Sequence, residues 1–282
     1  MSVRRFTVAA ATLVLIGAAL TAAAPTAQAA TSVPRFDHIV LVMFENKASS
    51  QITASSAPYF KSLAAQGASF TQSYAITHPS QPNYLALFSG GTQGVTNDDC
   101  PKTFTGNNLG NQLIAAGLTF KGYSESMPSN GYTGCSSGTY KRKHNSWVDF
   151  ANVPAASNLT YASFPSSGNY ASLPTVAFVI PNMCNDMHDC SIGTGNAWLQ
   201  NNLDAYAQWA KTHNSLLIVN FDEDNSLSLN RVYTTFAGAH VTTGSYPAKI
   251  THYTVLRTIE AAYGLPGIGS AASASPITNV WQ

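Results

Sequence analysis

Three stretches of this 282-residue chain gather side chains able to do hydrolytic chemistry. In Thr77-His78-Pro79-Ser80-Gln81-Pro82-Asn83-Tyr84-Leu85-Ala86-Leu87-Phe88, two prolines confine the backbone around Ser80 and an apolar run follows. That pattern puts Ser80 where a helix begins. Its hydroxyl then faces unpaired N–H groups at the positive end of the helix dipole, which suits a nucleophile that meets a phosphate. A plain N-cap is the alternative role for Ser80. Glu45-Asn46 and Asp222-Glu223-Asp224 form the other two stretches, each directly after an apolar, β-branched run. A glutamate so placed is a metal ligand or a helix cap. Three successive carboxylates at a sheet edge are costly without a positive partner, and a bound cation is the simplest one.

Two further segments extend the set. The loop Asn182-Met183-Cys184-Asn185-Asp186-Met187-His188-Asp189-Cys190 crowds Asn, Asp and His behind another apolar run, a composition expected of a metal or phosphate site. Lys141-Arg142-Lys143-His144-Asn145-Ser146-Trp147 is the one dense basic cluster in a chain that is only 10% charged. It is either a solvated turn or a place where Lys143 or His144 holds a phosphate oxygen or protonates a leaving group.

The order of these motifs, together with Asp37-His38-Ile39-Val40-Leu41-Val42-Met43-Phe44 ahead of them, resembles the secreted phosphoesterases of the acid phosphatase and phospholipase C type, within the alkaline phosphatase superfamily. The resemblance runs from about Phe36 to Trp281. It implies an α/β three-layer sandwich with a mostly parallel central sheet. It also implies a phosphatase acting on monoesters through phosphoserine at Ser80, phosphoinositides among its substrates, with a phospholipase C or other phosphodiesterase as the alternative. Glu45, Asn46, Asp222 and Glu223 match metal or phosphate ligands. Asn182 and Asp186 stand where the superfamily has two ligands four residues apart, usually Asp and His. His240, in Gly238-Ala239-His240, resembles a late metal-ligand histidine. Asn83 matches an asparagine that donates to a non-bridging oxygen, and His188 or His240 would aid hydrolysis of the phosphoserine. The oxygen-rich ligand set favours Mg²⁺, Mn²⁺ or Ca²⁺ over Zn²⁺.

The elements that must position these groups follow from periodicity. Residues 38–43, 69–74, 118–123, 174–180, 215–221 and 232–237 read as strands, and most of them are apolar enough to be covered on both faces. Helices are expected over 58–66, 107–116, 197–212 and from His252 to just before Gly264, where Thr251 is a candidate N-cap and His252 a packing residue. Residues 124–172 are rich in Ser, Asn, Gly and Tyr and read as loops over the site.

Residues 1–30 read as a secretory signal, with Arg4 and Arg5 ahead of an apolar stretch and Ala27-Gln28-Ala29 as the cleavage site. Residues 31–282 then form a single phosphoesterase domain, secreted and monomeric. Loss of that leader leaves the remainder near neutrality, with no basic surplus for nucleic acid. The expected partner is a small phosphorylated substrate or a phospholipid headgroup, without stable membrane insertion. Export makes the four cysteines readable as two disulfides; of three possible pairings, Cys100 with Cys135 and Cys184 with Cys190 is preferred. A serine esterase lacks support, because no G-x-S-x-G elbow is present and the acidic clusters would be unexplained.

Overall fold

A computed structural model describes residues 1–3 and 32–282, so the expected leader, apart from its first three residues, lies outside the described residues. In chain order the elements are β1 His38–Phe44, α1 Pro58–Ala65, β2 Ala68–Tyr74, α2 Ser80–Ser89, α3 Leu109–Ala115, β3 Phe120–Ser124, the short pair β4 Ser136–Ser137 and β5 Tyr140–Lys141, β6 Asn158–Thr160, β7 Val176–Ile180, α4 Ile192–Ala210, β8 Ser215–Phe221, β9 Thr234–Gly238, β10 Gly244–Thr251 and α5 His252–Ala262. Eight strands form one sheet in the order β10-β2-β9-β8-β1-β7-β3-β6. β9 is antiparallel to both its neighbours, and the other pairings are parallel.

The apolar strands are buried on both faces because side chains alternate across the pleat. In β1, Ile39, Leu41 and Met43 pack with Leu85, Phe88, Leu109, Val255 and Ile259 from α2, α3 and α5. Val40, Val42 and Phe44 face the other way, into Phe60, Leu63, Leu199 and Tyr206 from α1 and α4. Each such side chain contributes roughly 1.5–3 kcal/mol when fully buried, so the two cores fix the sheet firmly between its helical layers.

Helix α4 begins five residues before the predicted 197, because Ser191 caps it by accepting from the Thr194 amide. Besides the short pair β4 and β5, two strands of the large sheet escaped prediction. β6 is three residues long and sits inside the Ser- and Asn-rich region, while β10 pairs at the sheet edge and alternates in exposure, so neither carries an apolar run. Both expected disulfides are present, Cys100–Cys135 and Cys184–Cys190.

Among the described residues no helix is long and apolar enough to cross a membrane.

Two positions give direct tests. The Trp147 indole lies against Gly122 of β3, where an added Cβ would come within 2.1 Å of the ring. Gly122→Ala is therefore expected to lose roughly 1–3 kcal/mol in denaturant unfolding. Glu260 of α5 is buried and accepts from the Ile268 amide, with Arg257 at 3.5 Å. Burial raises its pKa from 4.5 to about 7. Between those values the folded state binds more protons than the unfolded one, so this group's contribution to stability falls as pH rises. Glu260→Gln should flatten that fall and raise the melting temperature at neutral pH.

Candidate active site

The carboxyl ends of the central parallel strands deliver the chemistry-bearing residues to one edge of the sheet, as open α/β sheets do. Glu45 directly follows β1 and Asp222 directly follows β8. The Asp222 amide donates to the Phe44 carbonyl at 2.9 Å, and the Glu45 amide donates to the Asp186 carbonyl at 2.8 Å, in the loop after β7. Backbone hydrogen bonds thus bring three carboxylates from three strand ends together. Glu45, Asp186 and Asp222 are each 0% exposed, and Glu223 is 6% exposed.

Ser80 is the first residue of α2, as its sequence context predicts. Its Oγ donates to Glu45 Oε2 at 2.9 Å and lies 3.3 Å from Glu223 Oε1. One turn later on the same face, the Tyr84 hydroxyl donates to Glu45 Oε1. Tyr84 also stacks on the His144 ring, with centroids 4.8 Å apart. The short 3-10 turn Arg142–His144 places His144 Nε2 at 3.1 Å from Glu45 Oε1 and Nδ1 at 3.7 Å from Asp186 Oδ2.

Burial pushes the Glu45 carboxyl well up, and the nearby Asp222 and Asp186 push it further. Asp186, Asp222 and Glu223 are raised as well, again chiefly by burial. Burial and the Lys143 charge hold His144 far below the usual imidazole range, so it stands neutral with a lone pair to offer. Lys143 itself is raised: burial alone would lower it, but a 2.6 Å bond to Asp98 and the charges of Glu45 and Asp222 prevail.

This arrangement fits a metal ion. One donor atom each from Glu45, His144 and Asp186 lies within 4.8 Å of the others. His144 Nε2, Asp186 Oδ2 and Asp222 Oδ2 are buried without a hydrogen-bond partner, a state that costs free energy unless a cation completes them. Asn46 extends the acidic wall: its amide N–H donates to Asp222 Oδ1, and assigning its side-chain amide so that the nitrogen faces the carboxylates lets it donate to Glu223 Oε1 at 3.0 Å.

Other predicted site residues are placed differently. His240 is exposed beyond β9, bonded to Asn214 just before β8. Because β9 runs antiparallel to β8, its end lies at the opposite edge of the sheet, and His240 is not brought to the carboxylates. Asn83 spends its amide on the chain: Oδ1 accepts from Ile76 and Thr77, and Nδ2 donates to the Thr77 and Pro79 carbonyls. It shapes the loop that carries Ser80 and has no hydrogen left for a phosphate oxygen. Asn182 Oδ1 accepts from the Cys184 and Asn185 amides, and its Nδ2 donates to Ser126, so it braces the loop and leaves Asp186 to face the site. His188 sits at the rim, with Nδ1 at 2.7 Å from Asp189 Oδ1.

Three participants were missed from sequence. Tyr84 read as core, although its spacing of four from Ser80 on a helix was the available signal. His78 contacts Glu223 at 2.6 Å and Asp224 at 3.4 Å. Asp98 joins the Gln81 amide to Lys143, and its own segment carries no periodicity that would mark it. Asp224, already noted within its acidic triplet, turns its oxygens to the amides of Ser226, Ser228 and Asn230 and holds a loop.

A family model describing the Phosphoesterase family matches residues 50–266. The chain belongs to that family. It is 52% identical over 255 residues to the phosphatidylinositol-3-phosphatase of Mycobacterium tuberculosis, covering 90% of this chain and 85% of that one. Identity is 31% over 224 residues to the phosphate-repressible acid phosphatase of Penicillium chrysogenum, which covers 73% of this chain and 54% of the fungal one. This family member therefore spans about half the length of that fungal relative. Among solved structures, an alkaline phosphatase superfamily protein from Vibrio parahaemolyticus superposes with a TM-score of 0.61 at 11% identity, covering 90% of this chain and 75% of that one. The lipoteichoic acid synthase LtaP from Listeria monocytogenes gives 0.60 at 9% identity, covering 92% and 79%. Those likenesses establish the fold, an α/β sandwich with a mostly parallel sheet, as the family resemblance implied.

If the carboxylates repel one another until a cation joins them, Asp186→Asn should melt at a higher temperature than the parent in chelator. The same variant should lose most of the rise in melting temperature that added Mg²⁺, Mn²⁺, Ca²⁺ or Zn²⁺ gives the parent, read by differential scanning fluorimetry.

Proposed function

We propose that this protein is a secreted phosphatase that hydrolyses phosphate monoesters, phosphoinositides among them, through a covalent phosphoserine at Ser80. The observation that carries the reading is the Ser80 hydroxyl, at the first position of α2 and within hydrogen-bond reach of Glu45 and Glu223. The names of the relatives, a phosphatidylinositol-3-phosphatase and an acid phosphatase, support monoesters over diesters. Two disulfides support a location outside the reducing cytosol.

Glu45, His144 and Asp186, with Asp222 alongside, would hold a divalent ion, which supplies positive charge to the phosphoryl oxygens and to the serine alkoxide. Ser80 Oγ gives its proton to Glu223, whose raised pKa makes it a stronger base than an ordinary carboxylate. Glu223 is linked through Oε2 to the more exposed His78, a route for that proton toward solvent. As the Oγ–P bond forms, the bond from phosphorus to the ester oxygen breaks in line. Lys143, which feels the charges of Glu45 and Asp222, would hold a non-bridging oxygen. His188, whose Nδ1 meets Asp189, would protonate the departing alkoxide and then take a proton from the water that cleaves the phosphoserine. Phosphate leaves, and Ser80 recovers its proton through Glu223.

Ser80→Ala should lower kcat for nitrophenyl phosphate by roughly 10³-fold or more while the melting temperature stays near that of the parent. Acid quench of the parent with labelled substrate should leave label on Ser80. A variant that keeps most of its rate would remove Ser80 as the nucleophile.

A further inference from the structure

Among residues 32–282, Leu227 and Leu229 are the most exposed large apolar side chains, at 84% and 92%. Both stand on the loop that leaves β8 after the acidic triplet, on the same sheet edge as Ser80. The loop is tightly held. The Asp224 carboxylate accepts from the amides of Ser226, Ser228 and Asn230, and Asn230 Nδ2 donates to the Thr77 carbonyl, three residues before Ser80. Leu229 itself has φ +57°, a conformation that glycine or asparagine adopts at less cost. A bulky apolar side chain is thus presented to solvent on a fixed backbone at an unfavourable dihedral.

Beside the two leucines runs a groove of about 650 Å³ whose wall includes Lys61 from α1 and Arg231. No acidic residue lines it, and neither cation has an ion-pair partner among the described residues. Lys249 adds a third positive charge nearby, above the Tyr74 ring at 5.2 Å. In a chain with 14 basic and 13 acidic residues, this grouping is local and not a reflection of net charge.

We propose that this face docks on an anionic lipid surface, with Leu227 and Leu229 entering the boundary between headgroups and acyl chains and Lys61 and Arg231 meeting lipid phosphates. Exposed apolar tips flanked by unpaired cations fit a bilayer interface, where apolar burial and attraction to anionic lipid act together. The charges favour this occupant over a second copy of the chain, which would bring the same cations against themselves across a two-fold contact. Docking in this orientation would set the Ser80 edge toward the membrane. The proposal goes beyond the phosphoserine reading and concerns binding alone.

The test is co-sedimentation of the purified protein with phosphatidylcholine vesicles, with and without phosphatidylserine, none of which carries a phosphomonoester. Binding is expected only with phosphatidylserine and should weaken as salt rises. Leu227→Ser with Leu229→Ser should weaken it roughly tenfold or more, and Lys61→Gln or Arg231→Gln roughly fivefold each. Turnover of soluble nitrophenyl phosphate should remain at the parent level in all these variants. Vesicle binding that is absent in the parent, or unchanged in the double leucine variant, overturns the proposal. So does a concentration-dependent dimer that the leucine variants abolish while the parent ignores vesicles. Because the readout needs no catalysis, an inactive parent that still binds leaves the docking surface standing.

Discussion

Glu45, Asp186 and Asp222 are acidic groups removed from water and crowded at one point, and the rest of the architecture is arranged around that expense. Glu45 and Asp222 directly follow strands whose side chains are buried on both faces, and Asp186, in the loop after β7, is tied to that frame by its carbonyl, which accepts from the Glu45 amide. The flanking polar groups reduce the repulsion without cancelling it. Tyr84 donates to Glu45, Asn46 to Asp222 and the His188 amide to Asp186, yet one oxygen on each aspartate remains unpartnered. A neutral imidazole completes the gathering. Such a set attracts a cation in proportion to how badly it tolerates the absence of one.

Much of this was readable from sequence because strand ends in α/β sheets carry their chemistry directly after a buried run. Glu45 follows β1 and Asp222 follows β8 without an intervening residue that could redirect them, and Ser80 sits between prolines at a helix start. The register of the parallel pairs then does the rest: Phe44 lies beside Phe221, so the two acidic stretches emerge side by side.

What escaped notice depended on tertiary closure. Asp98 belongs to a segment with no periodicity, and its value comes from reaching the Gln81 amide and Lys143 at once. His240 follows a glycine-containing turn that reads well in isolation, but β9 reverses direction within a parallel sheet and carries it to the wrong edge. A single antiparallel strand is invisible to a motif search, because period-two alternation is the same in both directions. Asn83 and Asn182 illustrate a related limit. A side-chain amide near a site reads as a ligand until the backbone groups it satisfies are known.

The central strand pairing also has a temporal side. β1 must wait for β8, and the Asn46 amide meets the Asp222 carboxylate across a sequence separation of 176. Closing so large a loop is entropically slow, and sheets of this kind form late relative to their helices. Until that closure the carboxylates are far apart and hydrated, so the nascent chain carries none of their mutual repulsion. Because Glu45 and Asp222 follow strands that pair with each other, the cluster exists only once β1 and β8 have met, and no short contiguous fragment could display the site on its own.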